Sequence, residues 1–436
     1  MTGRVLIGDI VTFDRAPGHY GDSVGPRHIA GGALAADGNG RIAWVGERRA
    51  MPADYRGLAV DDWTGALIMP GFVDAHIHFP QNRMLAAPGL DLLDWLARFT
   101  FPEEARYGDP HWAAARAGDF LAHLFRHGTT SALAFSSVHK CAAAALFAAA
   151  EQAGMALATG KTMMDRNARP DVEDDAETSG RESAELIADW HGRGRLRYAI
   201  SPRFAITSSE AQLEVAGALV KDHPGLVMQT HLSESRREIE MVAALFPAAR
   251  DYTDVYDRFG LLGPRSFFAH GIHLSERECA RLAEAGCAVV HCPTSNTFLG
   301  SGLFDIGHVA DERRPVAVAV ATDIAGGTSY SMLATLAEAH KVAMLKGRRF
   351  TGADAFALAT RGNADLVGLD ATGRLETGCW ADIVVLDPCA TPVLAARDVL
   401  SESIEDRLFA LMMLGDDRAV KATYVAGACV HRLEET

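Results

Sequence analysis

Short apolar runs separated by amphipathic stretches fill the middle of the chain. The runs at 67–73, 130–135, 197–200, 226–228, 266–269, 288–290 and 316–321 have the length of buried strands. Between them, the spacing of apolar positions predicts helices over 111–125, 140–153, 182–190, 210–220, 276–285 and 332–345. This alternation predicts a parallel-stranded α/β fold, and its length suits a (β/α)8 barrel. A doubly wound open sheet is the competing topology. No GxGxxG turn follows an early strand, which weakens a dinucleotide-binding version of that sheet. The acidic stretch 169–180 is expected to be a solvated loop.

The two ends have a different texture. Short β-like runs at 4–11, 32–36 and 41–45 are broken by Gly and Asp, and Asp37-Gly38-Asn39-Gly40 is a strong hairpin signal. Similar runs return at 382–386, 420–424 and 428–431. The expectation is that residues 1–66 and 373–436 meet in one small composite β-sandwich domain, with 67–372 forming the barrel.

Polar groups recur where the apolar runs stop. The run 67–73 leads into Asp74-Ala75-His76-Ile77-His78, 226–230 ends at His231, 266–269 at His270 and 316–322 at Asp323. In a barrel these ends converge on the face where active sites are built. His76 and His78 are two apart, so an extended strand turns both to one side. Histidines joined by a carboxylate form a donor set suited to a divalent metal, zinc first. For a single histidine among 17, a satisfied core or surface residue is the ordinary alternative. His291 also ends an apolar run and is a spare candidate. Glu234 follows His231 by three residues, where a carboxyl group could shuttle protons, unless it merely opens a charged surface helix at 234–238.

Composition limits the partners. The 436 residues carry 42 Lys plus Arg and 56 Asp plus Glu, a formal charge of −14, which argues against a nucleic-acid binder. The longest unbroken apolar stretch, 141–150, is too short to span a bilayer. Seven scattered cysteines without a CxxC pair, and no extended apolar core near the N-terminus, lead to the expectation of a cytoplasmic protein.

Pro70-Gly71-Phe72-Val73-Asp74-Ala75-His76-Ile77-His78 resembles the first-strand signature of the amidohydrolase superfamily, whose members use a (β/α)8 barrel and an accessory β sandwich. The resemblance narrows to its guanine deaminases through His78-Phe79-Pro80-Gln81, Leu93-Asp94-Trp95-Leu96, Phe101-Pro102-Glu103, Ser201-Pro202-Arg203-Phe204, His231-Leu232-Ser233-Glu234, His291-Cys292-Pro293-Thr294-Ser295-Asn296 and Thr322-Asp323 with Gly326-Gly327-Thr328-Ser329. These stretches span nearly the whole expected barrel in order.

By that resemblance His76, His78, His231 and Asp323 would hold one zinc per chain. Asp323 would take a proton from the attacking water, Glu234 would pass protons to guanine N3 and to the departing amine, and His270 would polarise or position the nucleophile. Gln81 and Arg203 would grip the base, with Phe204 packed on it. Arginine is donor-only, so it matches the guanine O6 acceptor and mismatches the adenine amine. The products would be xanthine and ammonia, and a homodimer is implied by the resemblance alone.

The sequence departs from the family pattern at Arg169, inserted before Pro170, and at Ala75, where threonine is frequent. Lys161 ends the run 155–160 and could be read as a carboxylated lysine bridging two metals, although the HxxE glutamate favours one. A second reading keeps the metal and changes the substrate to another aminoheterocycle, such as a pterin or triazine, deaminated or dehalogenated; Gln81 with Arg203-Phe204 favours guanine. A third, a non-catalytic assembly protein, would be expected to have lost ligands. The unrelated deaminases that need HxE with PCxxC are excluded, because neither motif is present.

Overall fold

Gly71 splits the first long apolar run between two sheets. In the computed structural model, which describes residues 3–89 and 91–434, the chain contributes β1 (Arg4–Thr12), β2 (Arg27–Ala36), β3 (Ile42–Glu47) and β4 (Ala59–Pro70) to one sheet. It then crosses to the barrel. There it supplies β5 (Phe72–His78), β6 (Thr129–Phe135), β7 (Ala156–Gly160), β8 (Thr162–Met163), β9 (Leu196–Pro202), β10 (Val227–Leu232), β11 (Ser266–His270), β12 (Ala288–His291) and β13 (Ala317–Val320). It returns to the first sheet with β14 (Ile383–Leu386), β15 (Val420–Val425) and β16 (Ala428–Arg432).

The run 67–73, expected to be one strand entering the barrel, is therefore the end of β4 followed by the start of β5. At the crossing the Gly71 amide donates to the Asp382 carbonyl at 3.0 Å and the Phe72 amide to the Gly128 carbonyl at 2.9 Å. A Cβ on Gly71 would lie 2.2 Å from Thr130 Cγ2, so the backbone passes where no larger residue fits without movement.

All strand pairs of the barrel sheet are parallel, in the order β13-β12-β11-β10-β9-β7-β6-β5, with the short β8 beside β9. The ring is nearly closed. At its seam the His78 amide donates to the Ile324 carbonyl at 3.1 Å and the Asp323 amide to the His76 carbonyl at 3.0 Å. This is the barrel rather than the open sheet. Small residues such as Ala75, Ala158, Ala199, Ala269 and Ala319 form a core cluster with Val73, Leu133 and Val290, while the outer strand faces pack against the helices.

The second sheet runs β16-β15-β14-β4-β1-β2-β3, mixed in direction because β1 and β4 are parallel. Strands from both ends of the chain thus share it. Two helices, Pro392–Asp398 and Ile404–Leu414, interrupt the C-terminal β texture. Leu408, Leu411 and Met412 pack with Leu333, Leu336 and Phe356. Arg195 lies immediately before β9 and Asp382 just before β14. They form a buried ion pair, with Arg195 also donating to the Gly154 carbonyl at 3.0 Å and to Thr372 at 3.1 Å.

The acidic stretch is not simply a solvated loop. Asp175 caps the helix Ala176–Trp190, which starts inside the expected loop. Asp174 and Glu182 converge on the fully buried Lys161 ammonium at 2.5 and 2.8 Å. A buried cation needs such partners, and they draw the acidic chain inward.

Candidate active site

The extended geometry that would align His76 with His78 is interrupted and restored within β5. Asp74 pairs with Ala132 and Ile77 with Ala134, so β5 fits one extra residue into that interval. Such a bulge switches the facing of the residues beyond it. Val73 and Ala75 lie in the barrel-lining cluster, whereas Ile77 joins the helix-packed one. His76 and His78 consequently take over the inner face. Asp74 is buried and braces this strand, accepting from the Thr322 hydroxyl at 2.5 Å and from the Thr322 and His76 amides at 3.2 and 3.3 Å. Burial raises its carboxyl to about 7.

The other strand ends turn sharply. His270 and Asp323 have φ values of 73° and 51°, and Ser233, just before Glu234, has 50°. These left-handed conformations cost a residue with a Cβ about 1–3 kcal/mol each and cluster at functional sites. Here they aim His270, Asp323 and Glu234 at one point.

The histidine rings of residues 76, 78, 231 and 270 lie edge to face or stacked, with the His76 and His231 centroids 4.8 Å apart. His231 Nδ1 faces the Arg203 carbonyl at 2.7 Å. A proton on Nδ1 then leaves the Nε2 lone pair pointing inward, 3.1 Å from His78 Nε2. Asp323 Oδ1 lies 3.3 Å from His76 Nε2 and 3.4 Å from His78 Nε2. Burial pushes His76, His78 and His231 below the ordinary imidazole range, keeping them neutral. Burial pushes Asp323 the other way, but His76 and His270 outweigh it and hold the carboxylate below its usual value.

Three neutral imidazoles and an anionic carboxylate around one point fit a divalent metal. His76 Nε2, buried and facing this point, makes no hydrogen bond among the described residues. His76, His270, Cys292 and Asp323 also lie close enough to share an ion. Burial holds the Cys292 thiol well above its ordinary value, which makes it a poorer donor than a thiolate.

Glu234 is buried beside this group, not on a surface helix. Its Oε2 lies 3.3 Å from His270 Nε2, and Oε1 accepts from the Ser301 hydroxyl at 3.0 Å. Its amide donates to Glu238 at 2.8 Å, and Glu238 also belongs to the capping box that starts the helix Arg236–Leu245. Burial raises the Glu234 carboxyl to about 7, with Glu238 and Asp323 adding to the rise and His270 opposing it. Burial would lower His270, but Glu234 and Asp323 together raise it above its ordinary value. Its Nδ1 bonds Asn296 Oδ1 at 2.8 Å.

Above these groups is a cavity that opens to the surface. His78, Gln81, Arg203, Phe204, His231, Glu234, His270 and Asp323 line it, with Leu92, Trp95, Leu96 and Leu299 as an apolar wall. All the site residues expected from sequence thus lie in or directly beneath one cavity. His291 does not join them: it stacks on Phe304 at 4.4 Å, and burial lowers it to about 3. Lys161 is engaged by its two carboxylates. Sequence reasoning assigned no role to Glu104, Asn296 or Ser301. Asn296 lies within a quoted motif and Glu104 directly follows one, but nothing in the spacing indicated their partners.

The profile of the amidohydrolase family matches residues 67–430. A guanine deaminase of Escherichia coli (strain K12) is 45% identical over 397 residues, covering 90% of this chain and 89% of the relative. The chain belongs to the guanine deaminase family of amidohydrolases. The solved structure of an E. coli guanine deaminase matches this amidohydrolase with a TM-score of 0.93 and 41% identity over 100% of both chains. A guanine deaminase from C. acetobutylicum, solved with guanine bound in its active site, matches at 0.88 and 27%, covering 99% of this chain and 100% of that one.

Proposed function

We propose that this amidohydrolase converts guanine and water to xanthine and ammonia, using one zinc per chain. The observation that carries this reading is the buried Glu234 carboxyl, 3.3 Å from His270 and beside the histidine–aspartate group, in one cavity with Gln81, Arg203 and Phe204. His76, His78, His231 and Asp323 would hold the zinc. Bound there, zinc supplies the Lewis acidity that brings the pKa of a water to about 7.

The side chains supply the remaining chemistry. Asp323, held anionic, accepts a proton from the attacking water, and Glu234, poised near neutrality, delivers one to N3. Water oxygen bonds to C2; Glu234, now a carboxylate, takes the remaining hydroxyl proton and passes it to the exocyclic nitrogen as the bond from C2 breaks and ammonia leaves, and the proton held by Asp323 returns to Glu234 to reset the site. His270, oriented by Asn296, positions the nucleophile. Arg203 and Gln81 donate to the carbonyl edge of the base while Phe204 packs on it.

The test is an absorbance assay of guanine conversion to xanthine, with and without a zinc chelator. Conversion abolished by chelator and restored by zinc is expected; no conversion by zinc-loaded protein overturns the reading. Metal analysis should return one zinc per chain, and two would instead call for a second site. The same proposal includes a cytoplasmic homodimer, so light scattering should give twice the 46.7 kDa chain mass. It also includes a composite domain of residues 1–66 and 373–436 beside a catalytic domain of 67–372; the sheet that strands from both ends share supports the pairing of the termini, while β4 carries the first boundary on to the crossing at Gly71.

A further inference from the structure

Glu104 is fully buried, with none of its surface exposed, at the last position of the helix Phe101–Glu104. A carboxylate in such a place is costly unless each oxygen is matched. Its two oxygens accept from Arg203 Nη1 at 2.9 and 2.8 Å, and Oε1 also accepts from Gln81 Nε2 at 2.9 Å. Glu104 therefore joins the two polar groups that face the cavity from different parts of the barrel.

Those bonds fix which donors remain. Gln81 Oε1 accepts from the Ala325 amide at 3.0 Å, so the carboxamide is held from both ends and its orientation follows from the bonding. One Nε2 hydrogen is committed to Glu104 and the other is free for a ligand. Arg203 spends Nη1 on Glu104, and among the described residues no acceptor bonds Nη2 or Nε. The remaining polar hydrogens of the pair are all donors. The carboxylate also neutralises the guanidinium, so the cavity presents a compensated cation, suited to an uncharged ligand.

We propose that Glu104 is a positioning residue that sets substrate specificity: it turns Arg203 and Gln81 into a paired donor surface for the carbonyl edge of a neutral purine. The proposal rests on the deaminase reading for the identity of the base. A site whose buried donors are left unmatched rejects the wrong ligand strongly. An amino group at position 6 meets donors with a donor, so 2,6-diaminopurine should bind poorly although it keeps the 2-amino group.

The experiment compares binding of guanine and 2,6-diaminopurine to zinc-loaded wild type and Glu104→Gln by competition titration, with steady-state kinetics on guanine in parallel. Replacing the acid by an amide sets amide hydrogens against the Arg203 donor at one oxygen position and removes the charge that holds the guanidinium in place. The preference for guanine should fall at least tenfold, with KM rising more than kcat falls. A variant that weakens both ligands equally, or lowers kcat alone, would show a structural role and overturn the proposal. If Glu104→Gln does not fold, Glu104→Asp keeps the charge but withdraws it by one methylene, and the same loss of preference is expected. Wild type that binds both purines within tenfold also overturns it. Wild type that binds guanine without releasing xanthine defeats the deaminase reading, while the binding ratio still tests Glu104. Binding of neither purine defeats both.

Discussion

Glu234 is set apart from the many other acidic side chains by its surroundings. It is buried, its amide is fixed by Glu238, one oxygen is held by Ser301 and the other faces His270. A proton carrier needs both a fixed position and a pKa near the working pH. Glu234→Gln keeps the size and the Ser301 acceptor but cannot exchange the proton. It should retain one zinc per chain by metal analysis while kcat falls by about 10²–10⁴; near-native turnover would remove Glu234 from the proton path. Arg203 governs a separate outcome. Because its free hydrogens can only donate, adenine, with an amine in place of the carbonyl, is expected to be a poor substrate. Ammonia release from adenine at a rate comparable to guanine would contradict that assignment. The strand-end residues His76, His231, His270 and Asp323 were legible in the sequence because an apolar run that stops on a polar group leaves a local signature. Glu104 was not, since its partners Gln81 and Arg203 are brought to it only by the closed ring.

At the level of elements, the bulge in β5 and the crossing at Gly71 determine where the site sits. Neither is visible in the apolar pattern, because 67–78 looks continuous and a bulge has no composition of its own. The crossing can be tested directly. A methyl group on Gly71 would press into Thr130, where β5 begins beside β6. Overpacking of this kind costs about 1–3 kcal/mol. Gly71→Ala should lower the midpoint of thermal unfolding, measured by circular dichroism, and an unchanged midpoint would mean that the crossing has room to yield. The helices Pro392–Asp398 and Ile404–Leu414 were hidden for another reason: the strands on either side dominate the local pattern, and the helices gain their packing from distant Leu333 and Phe356.

Across the whole molecule, Arg195 and Asp382 form a buried ion pair between the barrel and the second sheet. Their side chains are 9% and 1% exposed, so neither charge has water to fall back on. Removing one partner from a buried pair costs about 3–5 kcal/mol because the other charge is left unmatched. Asp382→Asn should therefore shift the urea unfolding midpoint to markedly lower denaturant, with kcat for guanine retained under native conditions. A midpoint within error of wild type would show that the joint is carried by apolar packing instead. The general alternation of strand and helix was enough to indicate a barrel, whereas this joint depends on two charges 187 residues apart in the chain.

The strand β4 has β1 on one side and β14 on the other. During synthesis the first neighbour leaves the ribosome before β4 does, but the second follows only after the entire barrel. Until then β4 has an open edge of unpaired amides and carbonyls, beside a ring that can already close at the seam between β5 and β13. Such an edge is a template for pairing with another chain. A nascent chain stalled late in translation would thus carry a formed catalytic pocket together with an adhesive flank, and completion of the last strands is what makes the molecule solitary along that edge.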